Sequence, residues 1–408
     1  MISFRLSTLA LVALAVSLGA DGAQAKAPPR LQDRLLTLDT HLDTPASLEI
    51  PGWSIVAEHK GDYTQVDLPR MKRGGLDGGF WAIYTPQGPL DPVSTAKARD
   101  FAFHRAVQIH EMVAAHPEAF ALADKADDAA RIKAAGRRVV YLSIENAWPL
   151  GDDPGLLQTF YRLGVRISGF AHFRTNQYAD SATDKPKWDG LSPLGVQLLA
   201  EMNRLGVVPD LSHSSDAALA DALRLSKSPI ILSHSGCRAI YDHPRNVSDD
   251  QLRALAAQGG VIQINSVYLR KAEPNPEREA ALKALEARYP EGRALPAEQY
   301  AAFLAERRAI DKAYPERGRA TFDLFMANML HALKLIGPDH VGIGADWDGG
   351  GGVEGMEDVA DLPKVTAALL AAGYSEADIA KIWSGNVLRV LAAAEAEAAR
   401  ESAAATSS

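Results

Sequence analysis

Short apolar runs recur along the chain, separated by longer stretches with helical periodicity. The runs cover residues 35–39, 80–84, 138–143, 165–170, 207–211, 229–232, 260–264 and 340–344. Continuous apolar runs of this kind are what parallel strands look like when both of their faces are buried. The amphipathic stretches between them carry recognisable boundaries. Residues 191–205 open on Ser192-Pro193, a capping hydroxyl followed by a proline in the first turn, and close at Gly206. Residues 249–258 end at Gly259-Gly260, and residues 375–394 form a third such segment. Strand and helix alternating eight times predict an α/β fold, a (β/α)8 barrel of the TIM type in a single domain spanning residues 26–395. An open doubly wound sheet is the alternative architecture. No Gly-x-Gly-x-x-Gly follows any of the runs, so nothing favours a dinucleotide-binding version of it.

One segment breaks the alternation. Residues 271–318 are rich in Ala, Glu, Arg and Lys, with prolines at 274, 276, 290, 296 and 315. They read as a helical insertion after the seventh strand, projecting over the barrel mouth or against a partner subunit. A solvated excursion with no catalytic role is the plainer expectation for it.

The ends read differently again. Arg5, an apolar run at 9–18 and Ala23-Gln-Ala25 have the layout of a signal peptide (residues 1–25) cleaved after Ala25. The apolar run is about half of the ~20 residues that span a bilayer. With no cysteine near the cleavage point and no apolar C-terminal tail, no stable membrane anchor is expected, and the location expected is exported, in the periplasm. Residues 396–408 read as a flexible tail. The net charge of −8, without a block of Lys or Arg, argues against nucleic acid as a partner. Cys237 is the only cysteine, so no intramolecular disulfide is available and a large core must hold the fold.

The chemistry lies in what terminates the runs. The first leads into His41-Leu-Asp43, the third into Glu145, the fourth into His172, the fifth into His213, the sixth into His234 and the eighth into Asp346. A single histidine at a strand end is commonly a structural, hydrogen-bonded residue. Polar groups at six equivalent strand ends would instead converge on the C-terminal face of a barrel, where active sites of this architecture lie. Three histidines and two carboxylates without cysteine form a nitrogen and oxygen donor set suited to zinc or another first-row divalent ion. His41 and Asp43, two apart on an extended strand, can reach one metal. His213 and His234 can hold a second, and Glu145 is the natural bridge between two.

These residues resemble the membrane (renal) dipeptidase family and its bacterial relatives over residues 36–393. The matching motifs are Asp39-Thr-His-Leu-Asp-Thr-Pro45, Phe80-Trp-Ala-Ile-Tyr84, Asp210-Leu-Ser-His213, Ser233-His-Ser235, Arg245-Asn-Val247, Gly344-Ala-Asp-Trp-Asp-Gly349, Glu354-Gly-Met-Glu-Asp358 and Asn386-Val-Leu-Arg-Val390. The resemblance implies a zinc-dependent dipeptidase with two Zn2+ per chain, one held by His41, Asp43 and Glu145, the other by Glu145, His213 and His234. It implies that His172 and Asp346 act on the substrate, that Arg245 holds the substrate carboxylate, and that a C-terminal D-residue is accepted. A homodimer is expected because relatives form one. The expected chemistry is attack by a metal-bridging hydroxide, with Asp346 moving the proton and His172 stabilising the oxyanion. Tyr84 is a further candidate for substrate contact, and Tyr268 a weaker one. Three departures touch substrate preference or oxidation state rather than the metal ligands: Glu145-Asn-Ala147 where Glu-Gly-Gly is common, Gly79 where a Gln is common, and one cysteine where mammalian relatives have several.

Two other functions share parts of this pattern. Another binuclear-metal amidohydrolase, acting on a β-lactam, lactone or related substrate, would use the same barrel, but such enzymes usually begin with His-x-His, and here the second position is Asp43. A catalytically dead binding protein would have lost a ligand, and all five are present.

Overall fold

The computed structural model describes residues 30–290 and 292–407. The expected signal peptide and its cleavage point lie outside the described residues. Eight parallel strands form the expected barrel: β1 (Leu38–Leu42), β2 (Gly78–Ile83), β3 (Arg138–Ile144), β4 (Val165–Gly169), β5 (Val208–Asp210), β6 (Ile231–Cys237), β7 (Val261–Ile264) and β8 (Val341–Ile343). Each pairs with the next in chain order. The ring is nearly closed where Leu42 bridges in parallel to Trp347 and Asp43 N–H donates to the Trp347 carbonyl at 2.9 Å. Two short strands, Phe120–Leu122 and Asn246–Val247, pair with β3 and β6 outside this ring.

β1 lies three residues further along than its apolar pattern suggests. Asp39 and His41 are polar, so a hydropathy reading ends the strand there, yet both are buried within it. β6 is likewise longer than expected and runs through Ser233, His234 and Ser235, all buried. In both cases the strand continues because its polar side chains have partners inside the barrel. Gly79 of β2 is required by this packing: a Cβ there would stand 2.1 Å from the Asp39 carbonyl oxygen of β1.

The helices begin where their caps predict. The Ser192 side chain accepts from Gly195 N–H to start Pro193–Leu205, and Gly206 ends it in the left-handed conformation. Ser248 and Gln251 form a reciprocal capping box at the start of Asp249–Ala257. The insertion consists of helices Pro276–Arg288 and Ala297–Ala313 joined by a turn at Gly292–Ala294. Its prolines sit at helix borders, where the missing N–H costs least.

The chain ends in a helix, Asn386–Ser407, preceded by a π-turn at Lys381–Gly385. The flexible tail expected at 396–408 is therefore corrected: its described residues continue the helix. The physical reason is an Ala-, Glu- and Arg-rich composition of high helix propensity, with Glu397 buried and Lys227 paired to Glu401 at 2.7 Å. Val387, Val390 and Leu391 of this helix pack with Leu38, Phe80, Val139 and Ile167 of the barrel strands. Among the described residues no helix is long and apolar enough to cross a membrane.

Candidate metal centre

β1 brings Asp39 and His41 to one face of the strand. The Asp39 carboxylate accepts from His41 N–H at 2.9 Å and from Ala345 N–H at 3.1 Å, tying β1 to the segment after β8. Burial pushes Asp39 up to about 7, against the pull of these donors. Asp43 lies just beyond β1, where the chain turns into the short helix Thr44–Glu49, and it returns toward His41, Oδ2 to Nε2 at 3.4 Å.

After β5 and β8 the backbone adopts left-handed φ at His213 (67°), Asp346 (65°) and Asp348 (65°). Non-glycine residues in this region cost of order 1 kcal/mol or more, and such strain gathers at functional sites. Here it turns His213 and Asp346 toward the centre. Gly349 lets the loop pass over them, since a Cβ would stand 2.0 Å from Asp43 Oδ2 and 2.3 Å from Asp346 Oδ1.

Glu145 is the hub. Four imidazole Nε2 atoms surround its Oε1: His172 at 3.1 Å, His213 at 3.3 Å, His41 at 3.7 Å and His234 at 3.8 Å. Three sets of side chains have donor atoms close enough to share an ion: His41 with Glu145 and His234, Glu145 with His172 and His213, and His41 with Asp43 and Asp346. The structure thus brings all seven strand-end groups together, with Glu145 common to two sets. It also puts His172 as near the hub as His213, closer than a purely substrate-facing residue need be.

The hydrogen bonds around the cluster orient its nitrogens. Ser233 Oγ donates to Asp210 Oδ2 at 2.5 Å, and its contact with His234 Nδ1 is 2.8 Å. With the serine proton given to Asp210, His234 Nδ1 is the donor to Oγ, which leaves Nε2 with its lone pair toward the centre. His213 Nε2 faces that atom at 2.8 Å. Burial pushes both His213 and His234 well below the ordinary imidazole value. Burial would lower His41 too, but the carboxylates of Asp43 and Glu145 outweigh it and raise the ring to about 10. Glu145 is held well below the usual carboxylate range: burial opposes this, and His172 and His41 overcome it. Asp346, in contrast, is raised to about 7 by burial, partly offset by His41 and reinforced by Asp43.

A cavity of about 300 Å³ opens onto the cluster. Tyr84 lines it, with its ring centroid 4.9 Å from that of His172, and so does Tyr268. Arg245 is not in its wall. The guanidinium is buried behind Tyr268, 5.1 Å from the ring centroid, and donates to the His234 carbonyl at 3.0 Å. Its Nε has no partner.

The wall also holds residues that the strand-end pattern does not select: Phe173, Val267, Asp348 and Arg293. Asp348 had a signal, being two residues beyond Asp346 in the same motif. Arg293 had none, because it comes from the insertion, whose composition reads as solvent-exposed helix. The insertion does project over the barrel mouth.

A parallel barrel with clustered histidines and carboxylates at its C-terminal face defines a metal-dependent hydrolase of the TIM-barrel class. The sequence model of the membrane dipeptidase family (peptidase family M19) matches residues 25–405, and the chain belongs to that family of metallo-dipeptidases. A dipeptidase of Claviceps purpurea, tcpJ, is 34% identical over 344 residues, which are 82% of this chain and 71% of that protein. Among solved structures, the probable dipeptidase PvdM from Pseudomonas aeruginosa aligns with a TM-score of 0.76 at 32% identity, covering 90% of this chain and 97% of its own. A metallopeptidase from Rhodobacter sphaeroides, liganded with a phosphinate mimic of the dipeptide L-Ala-D-Ala, aligns with a TM-score of 0.68 at 26% identity, over 88% of this chain and 99% of its own.

Proposed function

We propose that the chain is a binuclear zinc dipeptidase that also accepts a D-residue at the C-terminal position. The observation that carries the metal reading is the convergence of four imidazole nitrogens on Glu145, with two further carboxylates, Asp43 and Asp346, gathered beside His41. His41 Nε2 is buried without a hydrogen-bond partner. His213 and His234 bring their Nε2 atoms within 2.8 Å of one another, close enough for both to bind one ion. The negative potential that raises His41 is what a divalent ion would take over. The donor set therefore fits two ions, with His41, Asp43 and Glu145 for one and Glu145, His213 and His234 for the other. Such ions supply a water whose pKa falls from ~15.7 toward ~7 and a Lewis acid for the scissile carbonyl.

The remaining chemistry belongs to the side chains. Asp346, held near neutrality, is suited to take a proton from the attacking water and return it to the leaving amine. His172 Nε2 faces the same space and is suited to donate to the developing oxyanion. Arg245, a buried guanidinium with a free Nε–H, matches the substrate's terminal carboxylate once Tyr268 yields access. A cavity of this size suits a short substrate, and Tyr84 would flank it. The D-residue reading is supported by the Rhodobacter sphaeroides relative and its L-Ala-D-Ala mimic.

Replacing Glu145 with Gln tests this. Dipeptide hydrolysis should fall by about three orders of magnitude, and bound zinc, measured by mass spectrometry, should drop from two per chain. Full zinc with no hydrolysis in the wild type would remove the dipeptide reading and leave the metal reading. We propose export as well, with cleavage after Ala25, which N-terminal sequencing of the mature protein checks. A homodimer is the assembly proposed.

A further inference from the structure

Arg293 differs from three other arginines of the insertion, which are held in ion pairs. Arg278 and Arg307 pair with Asp311 at 2.7 and 3.4 Å, and Arg288 pairs with Glu306. Among the described residues no carboxylate lies within ion-pair distance of Arg293. Its contacts are long ones to neutral groups, 3.4 Å to Ser47 Oγ and 3.3 Å to the Asp348 carbonyl. Its position is nonetheless built. Leu295, two residues on, is 1% exposed in a small core with Ile50 and Tyr300, flanked by Trp53, Tyr289 and Phe303. That core clamps the turn Gly292–Ala294 to the segment following β1. Among the described residues lining the cavity, Arg293 is the one lysine or arginine.

Arg245 and Arg293 lie on different sides of the site, and only Arg293 lines the cavity. Arg245 belongs with β6, behind Tyr268. Arg293 lies on the β1 and β8 side, next to Asp348 and beyond Asp43 and Asp346. A dipeptide with its terminal carboxylate toward Arg245 and its scissile bond over Glu145 has its first residue directed to the Arg293 wall. A guanidinium with no ion pair among the described residues, its charge felt only at a distance by the Asp348 carboxyl, favours an anion there, and a carboxylate accepts its fork of donors.

We propose that Arg293 is a specificity-determining residue that selects dipeptides whose first residue carries a carboxylate side chain, Asp or Glu. The inference rests on the dipeptidase reading and on the orientation set by Arg245. The test compares kcat/KM for Glu-Ala with that for its neutral isostere Gln-Ala, and for Ala-Glu with Ala-Gln, in wild type, Arg293→Met and Arg293→Glu. The Glu-Ala to Gln-Ala ratio should fall at least tenfold in Arg293→Met, chiefly through KM, while the Ala-Glu to Ala-Gln ratio stays put. Arg293→Glu should lower the first ratio further and raise the rate on Lys-Ala relative to Gln-Ala. A first-position ratio that moves less than tenfold overturns the proposal, including a common fall on all substrates, which is what a mere latch for the insertion would give. A change confined to the second-position ratio overturns the orientation assigned to Arg293. Failure of the wild type to cleave any of these dipeptides would instead strike at the dipeptidase reading itself.

Discussion

Ser233 shows how a residue outside the proposed ligand set can orient one of its members. Its hydroxyl gives its proton to Asp210 and takes one from His234 Nδ1, so the imidazole presents a lone pair at Nε2. Removing such a partner typically costs 10–100-fold in metal affinity. Ser233→Ala should therefore bind zinc about tenfold or more weakly in a competition titration with a chromophoric chelator, while its far-ultraviolet spectrum stays that of the wild type. Cys237 is the opposite case. It is buried beside Asn328, its Sγ 3.6 Å from the Asn328 carbonyl, and burial pushes its thiol up to about 12. A thiol raised this far stays protonated through pH 9, and it is the thiolate that reacts. Ellman's reagent should label none of the native protein at pH 8 and one thiol per chain after denaturation. At this scale the proposed ligands were legible because each follows an apolar run, and His41, Glu145 and His234 need no long-range knowledge to be picked out. Arg293 was not, since only tertiary packing brings position 293 to the strand ends.

At the scale of elements, apolar runs located the eight barrel strands and caps marked helices at 191–205 and 249–258, while the short strands Phe120–Leu122 and Asn246–Val247 gave no such signal. Where the barrel strands differ in extent, one cause accounts for it. β1 and β6 carry Asp39, His41, Ser233 and His234 inside the barrel, so the strands continue where hydropathy stops. The C-terminal helix outlasts its amphipathic pattern for a related reason: propensity and the Lys227–Glu401 and Glu397 contacts sustain it after the apolar face ends. The insertion depends on a core of its own. Leu295→Ala removes the centre of that core, and burying a leucine of this kind contributes ~2–5 kcal/mol. Because that core meets the barrel's only at its edge, through Trp53, the loss should be largely local. Limited trypsin digestion should cut Leu295→Ala within residues 271–318 at least tenfold faster than wild type, with the thermal midpoint of the barrel shifted by only a few degrees. Equal cleavage rates would show that the insertion is held by something other than this cluster.

For the whole molecule, the barrel concentrates opposed charges at one end and sustains them with a large apolar core. Glu145 is depressed and Asp346 raised within the same cavity, and left-handed backbone at His213 and Asp346 aims both inward. The surrounding packing sustains these costs, and a metal, as expected of the metallopeptidase family to which the chain belongs, would offset the opposed charges. The sequence could point to the barrel and its face because period and strand-end position are local signals. How deeply Arg245 is buried, and which wall receives the insertion, depends on the packing of segments far apart in the chain. The central claim, a two-ion centre that hydrolyses dipeptides, is tested most directly by titrating metal-free protein with Zn2+ while following release of D-Ala from L-Ala-D-Ala. Activity should be absent without metal and should rise to a plateau at two zinc ions per chain. Hydrolysis at full rate without metal, or a plateau at two ions with no D-Ala released, would contradict it.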